Sequence, residues 1–200
     1  MVFGLSHFFD AKKNIKRKLI NSPRVNIGDF KDGQVAKIIG EIIPIEDPII
    51  SPLSGRACVE FQVNVSERVG RSSSKVLIDD RLTTPYVIHA EGYFVKIDEP
   101  EIRAQIEEDF FEDSGFLNNP SPKVRAYLQL FDVDPTNLIG MNKELHFQEG
   151  ILAPGELVSV YGRGEWVEAE ALGLPNEMGK VLRIHAADEQ VYLSNDKNTF

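Results

Sequence analysis

Residues 57–67, ACVEFQVNVSE, constrain the fold more than any other stretch. Val59, Phe61, Val63 and Val65 alternate with Glu60, Gln62 and Asn64. A period of two puts neighbouring side chains on opposite faces of a pleated strand, so this segment reads as a strand with one dry face and one wet face. The same chemistry recurs along the chain in short runs. GQVAKIIGEIIPI (33–45), SSKVLIDD, TPYVIHAEG and YFVKID come first, and ELHFQEG, GELVSVYGRGEWVEAEAL, KVLRIHA and QVYLS come near the end. Each is rich in β-branched and aromatic residues and bounded by glycine, proline or acidic turns.

Two segments break this rhythm. Residues 1–24 read as a basic amphipathic helix that Pro23 terminates, with Phe8, Lys12, Ile15 and Leu19 at three- and four-residue spacings. Residues 99–132 read as a helical insertion. Ile102, Ile106 and Phe110 recur every four residues in EPEIRAQIEEDFFED, and SPKVRAYLQLF opens on a serine cap with proline in its first turn and sets Val124, Leu128 and Phe131 on one side. The final NDKNTF reads as a frayed terminus. The expected class is mainly β with a helical insertion (α+β). It comprises a small OB-like β-barrel over 25–200, preceded by the helix of 1–24.

Composition bounds the function. At 42% hydrophobic residues the chain can fill a core without covalent staples, and one cysteine permits neither an internal disulfide nor a cysteine-rich zinc site. The net charge is -9, yet residues 1–24 hold six basic residues and one acid, so the body is more acidic than the total. An acidic body weighs against nucleic-acid binding. The basic helix, through Phe8, Phe9, Lys12, Lys13, Lys16 and Arg17, is instead a candidate for an anionic membrane surface or for packing on the acidic body. Its apolar residues precede its positive ones, the reverse of a secretory signal, and no apolar run reaches the length of a membrane span. The expected location is cytoplasmic, at the periphery of the inner membrane.

Few residues suggest chemistry. Cys58 reads as a small buried hydrophobe rather than a nucleophile. SPLSGR (51–56) reads as a tight turn, in which Gly55 supplies positive φ. Its amides with Ser54, Gly55 and Arg56 form a candidate anion-binding loop. The acids Glu107, Glu108, Asp109, Glu112 and Asp113 lack calcium-loop spacing and read as a solvated helix face. The four histidines show no zinc spacing. Neither a serine elbow nor a nucleotide fingerprint occurs, so no catalytic residue, metal or cofactor is expected.

Three stretches together resemble the GIDE-type domain: the G-x-V-x-x-I-I-G pattern at 33–40, SPLSGRACVEFQVNV at 51–65, and NKELHFQEGILAPGELVSVYGRG at 142–164. That domain occurs in bacterial proteins and in the middle part of a mitochondrial outer-membrane ubiquitin ligase. The resemblance runs from about residue 25 to the C-terminus. It implies an OB-like barrel related to the NfeD type and no established catalytic residues. It adds Glu149 and Arg163 as candidate polar positions, expected to pair across adjacent strands. His89 and Glu91 stand where the family pattern has aspartate and threonine. One cysteine cannot build a RING, so ligase activity is not implied. The resulting expectation is a non-enzymatic interaction module with a protein partner or a second copy of itself. The alternatives are a hydrolase using His89 or Glu149 and an OB-type single-stranded nucleic-acid binder.

Overall fold

The computed structural model describes residues 5–200 except 71–72, 116–117, 138–139 and 187–189, with the side chains of 5–11 also outside the description. Helix α1 (Leu5–Asn21) leads into β1 (Val35–Pro44), the short pair β2 (Ile49–Ile50) and β3 (Ala57–Cys58), then β4 (Glu60–Arg68) and β5 (Ser74–Thr83). Next come β6 (Tyr86–Ala90), β7 (Tyr93–Ile97), β8 (Ile102–Gln105), β9 (Glu108–Ser114) and helix α2 (Pro122–Leu130). The chain ends with β10 (Leu145–Leu152), β11 (Leu157–Glu168), β12 (Lys180–His185) and β13 (Val191–Ser194).

Five of these strands close on themselves. β6 pairs with β1 and β7, β12 pairs with β7 in parallel and with β11, and β11 returns to β1. The closing ladder runs from Val35 opposite Arg163 to Glu41 opposite Leu157. The result is a small mixed barrel, compatible with the OB-like class, in which closure removes the exposed edges an open sheet would leave. Ile38, Ile42, Ile88, Val95, Val158, Val160, Leu182 and Ile184 fill it. Each fully buried aliphatic side chain of this size contributes about 1.5–3 kcal/mol relative to exposure. Gly40 interrupts an otherwise aliphatic β1 because a Cβ there would stand 2.6 Å from Ile88 and 2.9 Å from the His89 carbonyl.

A second sheet, in the order β5-β4-β10-β9, is built from the two excursions that leave the barrel between β1 and β6 and between β7 and β11. Helix α2 covers one face of it, and Val124, Tyr127 and Leu128 pack with Phe61, Val63, Val65, Leu145 and Phe147 in a separate core. Ser121 caps α2 by accepting from the Val124 amide.

Four expectations need correction. Residues 99–113 hold strand β8 and most of β9, not helix, so the helical part of the insertion is α2 alone among the described residues. A four-residue spacing is also a multiple of two: Ile102 on β8 and Ile106 just beyond it serve the barrel core, and Phe110 on β9 serves the second core. The Val59–Val65 stripe divides, because a bend at Val59 turns that residue into the barrel while Phe61, Val63 and Val65 face α2. Phe131 is exposed at the end of α2 rather than buried with Val124 and Leu128. The terminal segment is packed rather than frayed: Ser194, Asp196 and Thr199 are buried, and the Thr199 carbonyl accepts from the buried Lys37 ammonium at 2.6 Å.

Helix α1 lies on the body beside β8, β13 and this C-terminal segment, burying Ile15 and Leu19. Lys16 pairs with Asp196, and Lys12 reaches Glu108 at 3.3 Å. Burial alone would raise the Asp196 carboxyl; the Lys16 ammonium, the Asn198 amide and the Asn198 side chain outweigh it and hold the group below its ordinary range. A depressed carboxyl stabilises the fold above its unfolded value, and that contribution is lost as pH falls through the folded value. Asp196→Asn should therefore cost about 1–3 kcal/mol in urea unfolding at pH 7, and the difference from the native chain should shrink as pH falls below about 4.

Candidate functional site

The SPLSGR turn and Glu149 meet in space. Glu149 is fully buried on β10, and its two carboxylate oxygens accept from the amides of Leu53 and Ser54, each at 2.7 Å. The turn adds its own bonds. Ser51 and Ser54 hydroxyls lie 2.7 Å apart, the Arg56 amide donates to Ser51 Oγ at 3.2 Å, and the Gly55 amide donates to the Ser51 carbonyl at 3.1 Å. Gly55 has φ of 74°, which an L side chain rarely adopts. The amides offered as an anion-binding loop thus hold an anion, and that anion is the chain's own glutamate.

Arg56 pairs with Asp109, whose other oxygen accepts from the Ile151 amide at 3.1 Å. Arg163 is elsewhere. Its guanidinium donates to the Gly33 carbonyl at 2.7 Å on the closing ladder of the barrel, so the expected Glu149–Arg163 pair does not form. Cys58 lies in the second core, where burial first and then the Glu149 and Glu60 carboxylates push its thiol up to about 11. A thiol held protonated in this way is not a nucleophile at neutral pH. His89 sits on β6 of the barrel with its ring 5.0 Å from that of Phe94, whereas Glu149 is on β10 of the second sheet. The acidic run 107–113 forms no common face: Glu108 pairs with Lys12, Asp109 with Arg56 and Asp113 with His146, and Glu112 accepts from the Ser121 amide.

A cleft of about 480 Å³ opens where the barrel meets the second sheet. Its charged residues are Glu60, Arg81, Lys96 and Glu99, and its apolar walls include Pro85, Tyr86, Ile97, Pro100 and Ile102. Glu60 is buried and held by Arg81 Nε at 2.9 Å and by the Gln62 amide group at 3.1 Å. Burial, then Glu60, pushes the Tyr86 phenol well above its ordinary range. Lys96 extends into the cleft and donates to the Tyr86 carbonyl at 3.4 Å, and burial lowers its ammonium from the ordinary lysine range. None of these residues stood out in the sequence. Glu60 falls on the polar side of an alternating strand and so reads as solvated; only the fold of β6 and β7 over that side buries it.

Of the membrane-surface candidates, Lys12 and Lys16 are turned toward acids of the body, Lys13 and Arg17 are exposed, and the side chains of Phe8 and Phe9 lie outside the described residues. No described helix is long and apolar enough to cross a membrane. No protein-family model, no curated protein and no solved structure matches this chain.

Removing the buried carboxylate leaves two amides without acceptors. Glu149→Ala should destabilise the chain by about 3–5 kcal/mol. Glu149→Gln, which keeps one good acceptor, should fall between it and the native chain. Equilibrium urea unfolding distinguishes the three.

Proposed function

We propose that the chain is a non-enzymatic interaction module of the GIDE type, and that it takes an extended segment of a protein partner in the cleft between barrel and second sheet. The GIDE-type reading draws support from where its motifs lie. SPLSG and the E-x-x-L-x-P-G stretch, nearly a hundred residues apart, join through Glu149 and the Leu53 and Ser54 amides. Those residues are then part of the frame, and recognition falls to the cleft beside it.

Lys96 is the observation that carries the reading. Its ammonium is partly desolvated, beside an apolar wall of Pro85, Ile97, Pro100 and Ile102. Desolvation disfavours the charged ammonium, and an arriving carboxylate restores it. The cleft suits a peptide that presents an aspartate or glutamate next to an apolar side chain. Arg81, also at the cleft, is already engaged by Glu60.

Selection of a displayed random peptide library on the native chain tests this. Recovered peptides should share an acidic residue flanked by apolar ones and should bind Lys96→Met about tenfold or more weakly, the effect of losing one charge-assisted contact. Peptides that lack an acid, or that bind native and Lys96→Met chains alike, would contradict the reading. Matching unfolding curves for the two chains separate loss of binding from loss of fold.

A further inference from the structure

The second sheet ends on an open strand. β5 pairs with β4 and with no other strand among the described residues, so a row of its backbone amides and carbonyls along Ser74–Thr83 has no partner strand. Proteins commonly guard such an edge with charges. Here two of the four charged residues of β5 are engaged within the chain: Asp80 accepts from the Tyr127 hydroxyl at 2.8 Å, and Arg81 meets the buried Glu60 carboxylate at 2.9 Å. Helix α2 adds an apolar overhang. It starts over β9, where the Ser121 amide donates to Glu112, and reaches β5 at Tyr127. Leu130 and Phe131 lie about one turn farther on, and one helical turn advances about as far as the spacing between neighbouring strands. The helix therefore runs past the sheet by about one strand's width. Leu130 is 77% exposed, Phe131 41%, and Leu82, opposite Phe61 on the face that α2 covers, 51%. One more strand beside β5 fits beneath this overhang, pairs the open edge and extends the second core.

We propose that the added strand is β5 of a second copy of the chain, paired antiparallel about a two-fold axis. Such a contact is isologous: each copy's edge pairs the other's, and each α2 overhang covers the other's β5. A strand from another protein would pair one edge and meet one overhang. Charge favours the same answer. The chain as a whole is at -9, so two copies repel over much of their surface. On β5, Lys75 and Arg81 balance Asp79 and Asp80, and α2 adds Lys123 and Arg125 without an acid. Two copies can therefore meet along this strip without bringing net negative charge together. The cleft at Lys96 takes Arg81 and Thr83 from the opposite face of β5, and neither reading depends on the other.

Sedimentation of the full chain over a concentration series tests this, beside a Leu82→Lys/Leu130→Lys variant. Both leucines are exposed, so the substitutions leave the cores intact, and far-ultraviolet circular dichroism verifies the fold. The native chain should dimerise at about micromolar concentration, and the variant's dissociation constant should rise at least about tenfold. Cysteine crosslinking then locates the contact. Cys58 is fully buried, so under mild oxidation an exposed introduced thiol forms the intermolecular disulfide. Val76→Cys and Asp79→Cys place it on β5, and Phe111→Cys places it on β9, the opposite edge of the same sheet. A β5 thiol should crosslink faster than the β9 thiol. A native chain that stays monomeric at about 100 µM would overturn the proposal. So would a dimer that the double substitution leaves unchanged, or one in which the β5 thiols crosslink no faster than the β9 thiol.

Discussion

The rest of the structure depends on one buried carboxylate. Glu149 stands in the middle of β10, the strand that pairs with β4 on one side and β9 on the other. Burying a carboxylate is costly unless its lone pairs are met. The SPLSGR turn meets them with the Leu53 and Ser54 amides, and in doing so fixes where the chain re-enters the sheet after β2. From that point β3 and β4 carry side chains into both cores. Cys58 and Phe61 go to the second core, and Val59 between them goes to the barrel. The turn therefore sets the relation between the two cores, and Cys58 fills space behind it.

Two further polar contacts extend the same logic to the outside of the barrel. Lys37 of β1 donates to the Thr199 carbonyl, and the Thr199 hydroxyl lies 2.7 Å from that of Ser159 on β11. The C-terminal segment held in this way presents Asp196 to Lys16 and seats α1. Lys37, like Glu149, is a buried ionic group matched by backbone brought from a distant part of the chain. Arg163 does similar work at the barrel seam by way of the Gly33 carbonyl.

Most strands were legible because their side chains obey a period of two and their ends carry glycine or proline. Helix α2 was legible from Ser121 and Pro122, and α1 from its spacing and Pro23. Residues 99–113 were not, since Ile102, Ile106 and Phe110 recur at a distance that fits either period. What decides there is long-range pairing: β8 lies parallel to β13, and β9 lies antiparallel to β10. The candidate residues divide in the same way. Ser54, Gly55 and Glu149 were visible as motif positions, but their contact spans 95 residues and no local pattern encodes it. Glu60, Arg81 and Lys96 were hidden, because each looks solvated on its own strand and becomes a cleft only when the sheet and barrel meet. The charges of α1 could be counted; that Lys12 meets Glu108 and Lys16 meets Asp196 is set by tertiary packing alone.

Amide hydrogen exchange at Leu53 and Ser54, followed by NMR under native conditions, tests the central claim most directly. Both amides belong to a surface-proximal turn outside any regular ladder, where exchange is ordinarily fast. If the Glu149 carboxylate holds them as described, both should exchange as slowly as the β4 amides, and their protection should track global stability. Exchange of these two amides at the rate of an open loop, with β4 still protected, would contradict the account.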